Sequence, residues 1–476
     1  MNFEELKTRY EQNGKFIDRF RESIDILPFT SNPSTSNFDN SCSLKGITGE
    51  FFRLCEKSNC KPIQDYENDL AKHVRQHLQK NQLTSEKIGK FTDIMQDLMN
   101  AQGTFIPIDT SFLKFIPLQT KANKSTLTKY GDGQKKIAEY IFSMKDPSVP
   151  LKARDEKNNL FSKSIQEALN ANDFPSDGSK PIYYILPFIK KQFSADIQWF
   201  TSKEDYVILK YIDLFLYFYA CYSIVQTIVK LNADKLDVDL FHPEPFYFIL
   251  DKESASQKRD AVTQGWNAKM PKQYVEKLFG RLQCVDILNT LVSPNQEPIG
   301  LYANIIEELK KQDFDECQKK LCKEILDYYK NKKIELINSR ETSKKISEAD
   351  LPDTDVDSYE TFVQTLEKLC KKLLSKEYEG KMLGRVNSLL KIRLLQIRQG
   401  RGSSVLVLDN ELLTFLIAMV SKEERIKLKD LYLKFKEYGI CFDLHTKQAI
   451  EDELLKLNIL ERKSDSGEAQ YVHIIL

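Results

Sequence analysis

The sequence predicts a mainly α-helical fold: multi-helix, bundle-like domains, a small zinc-finger-like ββα unit near the N-terminus, and a winged helix at the C-terminus. Three observations predict it. Apolar residues recur at helical spacing along most of the chain. Residues 206–231 form the longest apolar run and contain neither Gly nor Pro. Residues 405–476 alternate helix periods with short strand signals and end in a hairpin pattern.

The 206–231 run is broken by long polar or charged groups only at Lys210, Asp213, Gln226 and Lys230. A helix apolar almost all round must be covered on most sides. Its uninterrupted part, 214–225, is too short to cross a bilayer and is rich in aromatics. The run therefore reads as the hub helix of a soluble core.

The chain has 476 residues, 41% of them hydrophobic and 29% charged. That length suits about two to four domains. Its 17 Gly argue against a doubly wound nucleotide-binding fold, which spends Gly on phosphate turns. A net charge of +1 gives no global pull toward nucleic acid or an anionic membrane. The charged, helix-forming N-terminus lacks the apolar segment of an export signal, so a cytoplasmic location is expected. Nine Cys in that compartment read as thiols, and Cys221, Cys284, Cys322 and Cys370 sit in apolar helical contexts as small buried hydrophobes.

The expected organisation is an N-terminal helical domain over 1–145 with the finger-like segment at 45–80. A central helical domain at 146–337 surrounds the hub. A polar linker follows at 338–358, a basic helical connector at 359–404 and the winged-helix module at 405–476. Residues 1–28 read as one helix, 84–101 as another, and Phe246–Leu250 as a short strand.

The metal candidate is Cys55-x4-Cys60-x12-His73-x3-His77, the ligand spacing of a Cys2His2 finger. Tetrahedral zinc takes two thiolates from a tight turn and two imidazoles four apart on one helix face. GEFFRLC reads as the strand and IQDYENDLAKHVRQHLQK as the helix, with Leu70 as a core residue. Four protein ligands leave no open position, so the zinc would be structural. Residues 50–80 carry six Lys/Arg against five Asp/Glu, which favours protein contact or stapling over reading DNA.

In the C-terminal module, helices are expected at 410–420, 429–438 and 446–457, with an extended link at 425–428. Gly439 is placed for a left-handed turn and Asp443 for a cap, and two strands flank the turn SDSGE. From Asp409 onward thirteen Asp/Glu face ten Lys/Arg, and the third helix carries Glu451, Asp452 and Glu453. Such a surface favours protein docking over insertion in a groove. Just upstream, 381–401 holds Lys381, Arg385, Lys391, Arg393, Arg398 and Arg401 with no acid, on a helix expected over 381–396. This is the nucleic-acid candidate of the chain. Its alternative is a solvated face paired with acids elsewhere, such as those at 348–360.

GxxxxGK[ST], GxSxG and HExxH are all absent. Asp251-x-Glu253 after an apolar run is the nearest approach to a metal-dependent nuclease, but Lys252 would repel the metal.

The stretch LLTFLIAMVSKEERIKLKDLYLKFKEYGICFD…LLKLNILERKSDSGEAQYV, with PFYFILDKESASQKRDAVTQGW, resembles DptG of DNA phosphorothioation-dependent restriction systems. The resemblance covers the second half of the chain and rests on packing patterns and turn residues. It implies an antiphage defence protein acting with DptF-like and DptH-like partners on DNA that lacks the sulfur mark. It also places the ATPase motifs in the partners and offers no catalytic residue to carry over. The resulting expectation is a cytoplasmic, non-enzymatic adaptor of a restriction complex, with DNA contact through the basic segment, no membrane and no small-molecule substrate. The alternative is a stand-alone DNA-binding regulator using the finger and the winged helix.

Overall fold

The computed structural model describes the chain apart from residues 13, 18–25, 30–42, 57–74, 77–78, 80–83, 100–106, 108, 119–126, 150, 152–182, 233–237, 257, 271–276, 294–297, 341–349, 375–377, 379–380, 398–403, 423–424, 463–469 and 474–476. The fold is mainly helical. Its helices are α1 (Phe3–Tyr10), α2 (Lys45–Glu56), α3 (Ser85–Met99), α4 (Leu127–Phe142), α5 (Pro187–Thr201), α6 (Asp205–Asn232), α7 (Asp260–Thr263) and α8 (Trp266–Lys269). They continue as α9 (Leu278–Val292), α10 (Tyr302–Leu309), α11 (Glu316–Arg340), α12 (Tyr359–Lys372), α13 (Lys381–Leu390), α14 (Asn410–Ser421), α15 (Leu428–Glu437) and α16 (Leu444–Lys456). The strands are β1 (Glu11–Gln12), β2 (Lys15–Phe16), β3 (Phe246–Leu250), β4 (Leu395–Ile397), β5 (Ser404–Leu408), β6 (Arg425–Lys427), β7 (Ile440–Phe442), β8 (Leu460–Arg462) and β9 (Gln470–His473).

Helix α6 is the hub. By length and composition it is long enough to cross a membrane, yet 89% of its most apolar window is covered by protein. Several of the polar groups on it find partners on neighbouring elements. Thr48 of α2 donates to Asp213. The Tyr217 hydroxyl lies 3.0 Å from the carbonyls of Leu389 and Leu390 and accepts the Arg393 amide, which fastens the end of α13 to the hub. Gln226 pairs with both backbone groups of Glu244, at 2.9 and 2.8 Å, and so sets the entry to β3. Helix α9 is a second buried rod. Its Arg281, 2% exposed, reaches Glu367 on α12 and the Leu231 carbonyl, each at 3.1 Å.

A four-stranded sheet, in the order β4-β5-β3-β7, joins the middle of the chain to its end. Strands β5 and β7 both run parallel to β3, and β4 is antiparallel to β5. Phe246, Phe248, Leu406 and Leu408 belong to the main core with the hub. Ile249, Val405 and Val407 form a separate cluster with Ala261 of α7 on the other face. Both faces are covered, so FYFIL and SVLVL read as continuous apolar runs rather than alternating ones. Few Gly did not preclude parallel strands: the residues directly after β3, β5 and β7, DKES, DNEL and DLHT, contain no Gly. Gly439, at φ +67°, lets β7 pass Glu244: a Cβ there would lie 2.5 Å from the Glu244 carbonyl oxygen.

Several expectations are corrected. GEFFRLC is helical, within α2, not a strand. Residues 1–28 are not one helix, since α1 ends at Tyr10 and a two-residue hairpin follows. The basic helix stops at Leu390, and β4 follows where the helix was expected to continue. Thr354 and Val356 in the expected linker are buried, and the Thr354 hydroxyl donates to Asp327 of α11 at 2.7 Å. The sequence 405–476 is not self-contained, because β5 and β7 pair with β3. Its three helices and terminal hairpin do form, and β6, β9 and β8 make a second sheet in that order.

Candidate functional site

Each of the three parallel strands runs into an Asp: Asp251 after β3, Asp409 after β5 and Asp443 after β7. A strand end that feeds a helix needs a cap, and two of the three supply one. Asp409 accepts the Leu412 amide of α14, and Asp443 accepts the Thr446 amide of α16, each at 2.9 Å. Beyond β3 the chain turns sharply. Glu253 accepts the Leu250 amide at 2.7 Å, which folds its carboxylate back onto the strand end.

Arg259 joins these pieces. Its Nε and Nη2 fork onto Asp443 at 2.9 and 2.7 Å, and Nη1 reaches Glu253 at 3.0 Å. The Ser254 carbonyl and Thr446 hydroxyl take further donors. Hydrogen bonding to Asp443 raises the Arg259 pKa above its ordinary value. Burial pushes the Asp443 carboxyl up, but Arg259 and the Thr446 amide together hold it below the usual range. Above this clasp lies a cleft of about 510 Å³, lined by Glu253, Ser254, Ser256, Arg259, His445, Gln448, Ala449 and Asp452. It sits outside the carboxyl ends of β3 and β7, where open sheets with parallel strands place their ligands. Glu253 was marked by its spacing from Asp251 and Asp443 as a cap. Arg259, His445 and Gln448 were missed. The available signal was three apolar runs that each stop at Asp, FYFILD, SVLVLD and ICFD.

The residues singled out from sequence are scattered. Cys55 lies half-buried at the end of α2, a helix whose Phe51, Phe52 and Leu54 are buried. Cys60, His73 and His77 lie outside the described residues, and among the described residues no group of His, Cys, Asp and Glu is arranged to hold a metal. Arg385 is 3% exposed, lies over the Phe279 ring at 5.7 Å, and is pushed down to about 10 by burial. Arg393 forks onto Asp409 and reaches Glu411 at 2.8 Å, so its charge is met by acids of α14 and its cap rather than by those at 348–360. Lys391 is exposed. The side chains of Lys381, Arg398 and Arg401 lie outside the described residues. Asp251 follows β3, with its amide on the Leu408 carbonyl at 3.0 Å, and Glu253 is already engaged by Arg259.

No family model matches the chain, and no curated protein matches it.

Proposed function

We propose that the chain is a non-catalytic adaptor that docks other proteins through its C-terminal unit, as a subunit of a DNA phosphorothioation-dependent restriction complex. The restriction context rests on the resemblance of the second half of the chain to DptG. The docking mode rests on one observation, the outward face of α16. The unit runs α14-β6-α15-β7-α16-β8-β9, with β9 between β6 and β8 and β7 paired to β3; we read it as a variant of the winged helix, whose third helix enters the major groove in its DNA-binding members. Here the exposed residues of the first turns of α16 are Leu444, His445 and Gln448, followed by Asp452. Lys447 instead folds over the Tyr432 ring at 5.3 Å. Leu444 is 70% exposed, and Leu433 and Leu457 of the same unit are exposed too. Acidic groups repel a phosphate backbone, and exposed leucines gain by burial against a protein surface.

The test is co-purification with DptF-like and DptH-like chains. A stable complex that is lost in Leu444→Glu is expected, and no complex with either partner would overturn the reading. The stand-alone regulator alternative would gain from salt-dependent binding of duplex DNA by the isolated chain. Zinc remains part of the proposal through Cys55 alone of the described residues, at a helix end rather than in a ββα finger. Metal analysis is expected to find about one zinc per chain; a metal-free protein from a fresh preparation would remove it.

A further inference from the structure

We draw no further inference here: the strongest candidate, the outer edge of the four-stranded sheet at β4, where Ile397 is 58% exposed, carries nothing, because nothing among the described residues shows what covers it.

Discussion

The two regions that looked most informative in the sequence, 45–80 and 405–476, fared differently, and the reason is physical. The first was read from four sparse residues in a ligand register. The second was read from apolar periodicity, caps and turn residues spread over its whole length. In the C-terminal unit each local cue points to the same element. Asp409 and Asp443 cap helices, Gly439 takes the left-handed turn, and the terminal strands pair. In the N-terminal segment the strand expected for GEFFRLC and the apolar period disagreed. Ile47, Phe51 and Leu54 lie four and three apart, a helical stripe, and α2 buries that stripe against α4, the Thr110–Phe115 turn and the hub. The many weak cues of α2 override the strand expected for GEFFRLC, while three of the four residues of the ligand spacing lie outside the described residues.

The largest expected effect tests α2 as a core helix. Arg53 is 4% exposed and donates to the carbonyls of Lys114 and Ile116 at 2.7 and 2.8 Å while pairing with Glu50. Arg53→Met leaves two buried carbonyls without their donor and a carboxylate without its partner. A loss of about 3–5 kcal/mol in urea unfolding is expected. On an exposed strand the same change would cost almost nothing, so a loss below about 0.5 kcal/mol would restore the strand reading of this segment. Gly49→Ala asks the same question through packing. A Cβ there runs into the Ile116 carbonyl, a backbone group that cannot swing aside. The added methyl should cost about 1–3 kcal/mol, although alanine is the better helix former by about 1 kcal/mol. A stabilised variant would mean that α2 and Ile116 are not in contact.

The C-terminal side of the comparison is sharpened at Asp443. Asp443→Ala removes the cap of α16 and the acceptor for the Arg259 fork. A loss of about 2 kcal/mol is expected near neutral pH. The carboxyl is held below its ordinary value in the folded chain. Its contribution is therefore complete above the unfolded value near about pH 4 and is lost as pH falls through the lower, folded one. The stability gap between parent and Asp443→Ala should narrow on acidification in that window. A gap that widens there would mean that the carboxylate does not act through Arg259.

The mainly helical class, the hub and the order of the C-terminal elements were legible because they follow from local period and local caps. The sheet was not. Strand β3 was visible as FYFIL, but its partners lie far along the chain, and a parallel pairing leaves no hairpin signal in between. For the same reason Arg259 looked like one more loop cation. Its role comes from Asp443, 184 residues away, which only the parallel register brings to it. The basic segment shows the converse. Its charges were read as one helix face, but α13 ends at Leu390, so Arg385 turns into the core and Arg393 toward Asp409.

That segment gives the smallest expected effect. Of its six cations, Arg385 is buried and Arg393 is paired, while Lys391 is exposed. A phosphate contact is expected to lower the salt slope of DNA binding by about one when its lysine is removed. An adaptor that acts only by docking proteins through α16 shows no salt-dependent binding of duplex DNA by the isolated chain, and therefore no difference between the parent and Lys391→Glu. The titration is run from low to moderate salt and repeated with Arg398→Glu and Arg401→Glu of the same segment. A slope that falls by about one in any of the three would put this surface on the phosphate backbone. The chain would then hold its partners through α16 while its basic segment holds the DNA they act on.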